Sequence, residues 1–269
     1  MFLEIFQYSF VIRAFEAGIV VAVIAPLIGI FLVLKRYSLI ADTFSHVSLA
    51  GIAVGLLLGV NPILAALVFT VLASFGIEKL RTSKKIYGES ALAIFLSGAL
   101  AVAVVVISMA HGFNTNLYNY LFGSIVTVTM LDVYIIAVLA VVVIAVLLKF
   151  YKEIIYISFD EDSAKVSGIP VRLINGILIF LAAVTVSLAI PIVGVLLISA
   201  LIVIPVVAAL QLKQSFLKTL IYAELISIFS VISGIFASFY LNLSTGGTIV
   251  LIMLAIFLII FINNKAKIA

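Results

Sequence analysis

The chain has 269 residues, 66% hydrophobic and only 10% charged, with a mean hydropathy of +1.47. A soluble globular domain is nearer half apolar and a quarter charged, so this composition excludes one. The lack of cysteine excludes disulfides, zinc fingers, iron–sulfur ligation and thiol catalysis. The net charge of +4 reads as membrane orientation rather than nucleic-acid binding.

A helix needs about 20 apolar residues to cross a bilayer, and nine would use about 180, close to the apolar share of this chain. The expected fold is all-α: one polytopic transmembrane domain over residues 1–269 with about nine crossings. Apolar runs place spans near 11–34, 39–58, 62–80, 90–110, 131–149, 174–189, 192–210, 217–241 and 246–262. Eight crossings is the alternative, if the sixth and seventh runs form a re-entrant pair. The first run has no small-residue cleavage site after it and is expected to remain as a span. Of the 15 Lys and Arg, all but Arg13 fall on one side if the N-terminus is outside and the C-terminus inside.

Two stretches fit this pattern less simply. Residues 116–129, with Tyr118, Tyr120, Phe122 and Gly123, are apolar but short, as in an interfacial or re-entrant helix on the outer side. Residues 191–205 carry Pro191, Gly194 and Pro205 within or beside one span, where proline bends the axis as a plain kink or a hinge.

An ionisable group inside a span marks a functional site by default. Asp42 and His46 open the second span four residues apart, on one helical face and about 6 Å apart along the axis. A carboxylate and an imidazole at this spacing suit a divalent metal. Ser45 and Ser48 add polarity beside them. The plainer reading is that Asp42 caps a helix beginning at Thr43 and His46 bonds a neighbouring backbone group. Two ligands make an incomplete zinc site, but a two-fold pair of chains would bring four, Asp42 and His46 from each copy. Glu224 lies at similar depth and reads as a third ligand, a proton acceptor or an interhelical partner. Arg13, Glu16 and Asp132 are expected near outer span ends, solvated or paired with each other. His111 and Asn114 belong to an outer loop.

The longest hydrophilic connection, residues 156–172, reads as a short helix with its ends written in. Asp160 serves as N-cap, Glu161 and Asp162 place negative charge in the first turn, Gly168 takes the left-handed C′ position, and Pro170 stops the helix. So short a helix is unstable alone in water and must be held by its bundle or by a soluble partner. There is no G-x-x-x-x-G-K-[ST] phosphate loop. ATP-driven transport would therefore need a separate motor chain, with this loop as the contact.

The string from Ala41 to Gly51, read ADTFSHVSLAG, resembles the signature of permease subunits of zinc and manganese ABC importers, the ABC-3 type metal permeases. Phe159–Ala164 with Gly168–Arg172, Leu121–Ser124, Val193–Ile198 and Ile204–Pro205 are similar to that family's motifs, in order along almost the whole chain. The resemblance implies a multi-pass subunit of the plasma or inner membrane, usually paired two-fold. It would work with a cytoplasmic ATP-binding subunit and an extracellular or periplasmic metal-binding protein, and hold no cofactor of its own. Zn2+ or Mn2+ would be the transported substrate, zinc favoured by the Asp42–Gly51 string. The family's metal-contacting pair falls on Asp42 and His46. Its ATPase-docking helix falls on about Asp160–Ser167, with Asp160, Glu161, Asp162, Ser163, Ala164 and Gly168 as coupling residues. Glu224 matches no family ligand.

A proton-coupled secondary transporter of divalent metals is the alternative, with Glu224 or Asp42 as the proton site. An intramembrane enzyme is disfavoured. No H-E-x-x-H occurs, and the two histidines, 46 and 111, fall on opposite sides of the membrane in this topology.

Overall fold

The computed structural model describes residues 4–82, 87–110, 115–123 and 127–266. His111, Asn114 and Ser124 lie outside these residues, as do Lys84, Lys85 and Lys267. The described chain is helical, with no strand. A 3-10 turn at Glu4–Gln7 precedes α1 (Ser9–Leu34), α2 (Leu39–Leu58), α3 (Pro62–Thr82), α4 (Gly88–Met109), α5 (Thr115–Phe122) and α6 (Met130–Lys149). Then come α7 (Tyr151–Phe159), α8 (Glu161–Val166), α9 (Val171–Val193), α10 (Val195–Leu210), α11 (Phe216–Leu241) and α12 (Thr245–Ala266).

Eight of these helices are long and apolar enough to cross a membrane. In α1, α2 and α9, 67–72% of the spanning window is buried, against 17–33% in the other five. Three helices therefore form the centre and the rest form a ring whose outer faces are apolar, as lipid requires. The centre is tight because its residues are small. A Cβ at Gly51 would come within 2.6 Å of the Ala66 Cα, so α2 and α3 touch backbone to backbone.

The sequence places a break at Pro191, but α9 runs through that proline to Val193. The corner falls at Gly194, whose φ of 84° only glycine adopts without strain. Gly123, with φ 72°, packs against the same corner, and a Cβ at either residue would strike the other's backbone. Thus α5 ends on the α9–α10 junction, as a short helix at one end of the bundle.

The sixth and seventh runs are not a shallow re-entrant pair. The 16-residue α10 starts beside Gly246, at the head of α12, and ends where the Asn264 side chain donates to the Gln211 carbonyl. It accompanies α12 between the same two levels, about 25 Å apart at 1.5 Å per residue. Among the described residues, therefore, eight helices are long and apolar enough to cross, and the shorter apolar α10 runs beside them. Pro205 stays within α10, and Pro191 within the last turn of α9.

Arg13 and Asp132 are not paired. Arg13 Nε donates to the Val128 carbonyl at 2.7 Å, and Asp132 closes a capping box with Thr129 at the start of α6. Both hold the chain just before α6, Arg13 by its bond to the Val128 carbonyl and the Thr129–Asp132 box by giving acceptors to N–H groups at the helix start.

Candidate metal site and coupling helix

The chain leaves α1 at Lys35, turns through Arg36 with a left-handed φ of 59°, and enters α2 at Leu39. Asp42 thus lies inside the first turn and is not the cap that the plainer reading assigned it. His46 Nε2 sits 3.7 Å from Asp42 Oδ1. Two donors on one tetrahedral metal with bonds near 2.1 Å are about 3.4 Å apart, so the pair is close to chelating geometry. His46 Nδ1 is buried with no partner. The two side chains keep 20% (His46) and 43% (Asp42) of their surface on a helix otherwise largely buried. Leu39, 53% exposed, continues the same stripe toward the helix start. The bundle leaves this edge of α2 partly uncovered.

The serines beside the pair are occupied elsewhere. Ser45 donates to the Asp42 carbonyl at 2.8 Å, within its own helix. Ser48 meets Ser187 of α9 at 2.9 Å, and Ser187 also meets Thr70 of α3. All four hydroxyl residues are fully or almost fully buried. The Ser48–Ser187–Thr70 chain pins the metal-pair helix to its two neighbours. Nothing in the spacing of the sequence links these three positions; only their polarity inside apolar runs marks them.

Glu224 does not join the pair. It lies on α11, whose main partners are α1, α10 and α12. Both its carboxylate oxygens are buried without a partner, as is the Ser227 hydroxyl one turn on. Among the described residues no group of three or more His, Asp or Glu could hold a metal. Among the described residues one protomer thus brings one carboxylate and one imidazole together here.

The hydrophilic connection folds as its sequence predicts. Asp160 caps α8 by accepting from the Ser163 N–H at 3.0 Å, and the Ser163 hydroxyl bonds the same carboxylate. These bonds favour the charged form and hold the Asp160 carboxyl below its usual range. At the other end Gly168 has φ 81°, with Ile169 N–H bonded to Ala164 O and Gly168 N–H to Lys165 O, a Schellman motif. Six residues of helix survive because Ala164 is fully buried against its own bundle. On the other side Val166 is 90% and Phe159 66% exposed, two apolar side chains with no cover from the chain.

Behind α8 lies an ionic cluster that the sequence presented only as orientation charges. Glu78 and Arg81 form a two-bonded pair at 3.0 Å on the last turns of α3, both nearly buried. Arg81 sits 4.6 Å and Lys35 5.6 Å from the Tyr37 ring, and Lys35 donates to Asn175 of α9. Burial draws the Lys35 amine down to about 8, partly opposed by the Glu161 carboxylate of α8. Burial pushes the Glu161 carboxyl up, but its bond to Lys165 and the Lys35 and Arg81 charges outweigh that and hold it low. The Glu161 carboxylate of α8 thus acts by charge on Lys35 in the turn that launches the Asp42–His46 helix.

Residues 7–264 match the model of the ABC 3 transport family. The chain belongs to that family. A probable metal transport system membrane protein of Treponema pallidum is 35% identical over 94% of this chain and 95% of its own length. The manganese transport system membrane protein MntC of Listeria monocytogenes is 31% identical over 97% of this chain and 94% of its own. The high-affinity zinc uptake system membrane protein ZnuB of Haemophilus influenzae is 27% identical, covering 91% and 94%. Among solved structures, PsaBC from Streptococcus pneumoniae, in complex with Fab, superposes with a TM-score of 0.85 at 29% identity, covering 97% of this chain and 95% of that one. The family expected from the ADTFSHVSLAG string is the one matched, and this ABC 3 chain is a multi-pass protein of the plasma membrane.

Proposed function

We propose that this ABC 3 chain is the membrane-spanning permease of an ATP-driven importer of a divalent transition metal, zinc first and manganese next. Metal would reach it from an extracellular binding protein. The observation that carries the reading is the Asp42–His46 pair, 3.7 Å apart on the partly uncovered edge of a central helix. A second copy, related by a two-fold axis along that edge, supplies another Asp42 and His46 and completes a two-nitrogen, two-oxygen set. Four such ligands suit tetrahedral zinc. Bidentate carboxylates would raise the number toward the six that manganese prefers. The names of the relatives include both metals and so leave the choice to the donor chemistry.

In this reading the N-terminus is outside and the C-terminus inside, as the Lys and Arg distribution favours. The exposed Val166 and Phe159 and the acidic first turn of α8 face a cytoplasmic ATP-binding subunit. ATP-driven closure of that motor moves α8, and with it the Glu161 charge that acts on Lys35 beside the start of α2. Asp42 and His46 hold the metal through a carboxylate oxygen and an imidazole nitrogen. The match over residues 7–264 weighs against the proton-coupled alternative.

The test is zinc uptake into proteoliposomes containing this chain and its ATPase, with loaded binding protein outside and manganese as competitor. Uptake that needs ATP and disappears in His46→Ala is expected. Uptake driven by a proton gradient, or unchanged in the variant, would return His46 to a structural role.

A further inference from the structure

A second site lies between α2, α3 and α4, away from the metal pair. At the level of the α1–α2 turn a half-enclosed pocket of about 300 Å³ is lined by Lys35, Arg36, Arg81 and Tyr87, with Glu89 as the one acid in its lining. Two of the cations are already engaged, Lys35 with Asn175 and Arg81 with Glu78. The Arg36 N–H donates to the Val33 carbonyl, but its exposed side chain makes no hydrogen bond or ion pair among the described residues. With Glu78 and Glu161 set against Arg81 and Lys35, Arg36 is the cation left for a ligand.

Farther along the same three helices is a groove of about 460 Å³ with an apolar lining that includes Val47, Ala50, Phe69, Leu72, Phe95 and Val102. The two cavities are stacked in register. Passing from the first to the second, α2 advances from Ile40 to Ala50, α3 runs back from Ile77 to Phe69, and α4 advances from Leu92 to Val102. That stretch of α4 is about 15 Å long, half of a hydrocarbon core of ~30 Å and so the depth of one leaflet. The groove opens on the lipid-facing ring, where Leu72, Ile94 and Val102 are exposed.

We propose that the two cavities together bind one anionic glycerophospholipid, with its phosphate among Lys35, Arg36 and Arg81 and an acyl chain in the groove beside Val47 and Phe95. Charge selects the head, because basic pockets at the inner membrane face attract anionic headgroups. The apolar groove takes the tail, where a polar occupant would lose its hydrogen bonds. The lipid touches α2 at Val47, about 100° around the helix from His46, and so lies off the edge assigned to a second copy. This inference rests on the membrane location of the chain and stands apart from the choice of transported metal.

The experiment is native mass spectrometry of the full-length chain in detergent, incubated with phosphatidylglycerol or phosphatidylcholine, with inorganic phosphate as a competing arm. Arg36→Ala removes the free cation. Gly98→Leu fills the groove, which Gly98 lines and where a Cβ meets nothing within 4 Å. The wild type is expected to retain phosphatidylglycerol over phosphatidylcholine, and Arg36→Ala to lose about fivefold of that retention. Gly98→Leu is expected to lower retention too, with both variants melting like the wild type. Equal retention of the two lipids overturns the proposal, as does unchanged retention in either variant. Displacement by inorganic phosphate would make the pocket a free-anion site. Lipid-free dimers would assign the groove to a second copy.

Discussion

The hydroxyl of Ser187 on α9 lies 2.9 Å from that of Ser48 on α2, two residues past His46. Ser187 also meets Thr70 of α3, so one side chain ties three helices together at the height of the candidate metal pair. Interhelical bonds of this kind contribute about 0.6–1.7 kcal/mol within a bilayer. Ser187→Ala should cost about 1 kcal/mol and lower the melting temperature of the purified chain by a few degrees. It should weaken metal binding less than His46→Ala does. Isothermal titration of zinc beside a thermal melt separates the two effects. A variant that melts like the wild type would show that the three hydroxyls carry no stability.

Asp42 lies within α2 rather than at its cap, which sharpens what its removal should do. An N-cap replaced by alanine typically costs about 1 kcal/mol of stability. Asp42→Ala should instead leave the melting temperature close to the wild-type value while abolishing ATP-dependent uptake. A large drop in stability with residual uptake would mean that the carboxylate holds the helix rather than the metal.

The exposed Val166 offers a test of coupling that leaves the transmembrane bundle alone. Val166→Asp puts a charge on the outer side of α8 without touching the buried Ala164. Metal-stimulated ATP hydrolysis of the assembled transporter should fall severalfold, with zinc binding to the permease unchanged. Gly168→Val should act similarly by another route. A β-branched residue at φ 81° costs about 1–2 kcal/mol and loosens the end of the helix. If both variants hydrolyse ATP normally, α8 is not the contact.

Lys35 gives a signature in pH. Its folded value near 8 lies below the ordinary 10.5, so between these limits the unfolded chain holds a proton that the folded chain has released. Stability from this group therefore rises with pH from about 8 to 10.5 and is flat below that window. Lys35→Met should flatten this part of a plot of melting temperature against pH. An unchanged slope would assign the rise to other groups.

Gly194 combines a positive φ with a close backbone approach. Its φ of 84° and the contact with Gly123 leave no room for a Cβ, so Gly194→Ala should destabilise by more than about 3 kcal/mol and reduce the folded yield sharply. Fluorescence-detected size exclusion of the solubilised membrane fraction measures this. A monodisperse wild-type-like peak would mean that α5 and the α9–α10 corner can separate freely.

The apolar runs, their Lys and Arg punctuation and the capping residues around Asp160 and Gly168 were legible in the sequence because each acts over one or two helical turns. The same holds for the spacing of Asp42 and His46, which one helix sets by itself. The tertiary structure decided matters that depend on residues far apart in the chain. It moved the corner from Pro191 to Gly194, since that turn needs positive φ and a close approach from Gly123. It carried α10 to the far level beside α12, through contacts that hydropathy cannot encode. Ser187 met Ser48 and Thr70, and Glu224 was set apart from the metal pair, because helix packing rather than depth chooses neighbours. Only packing, too, covered most of α2 while leaving the edge with Asp42 and His46 partly open.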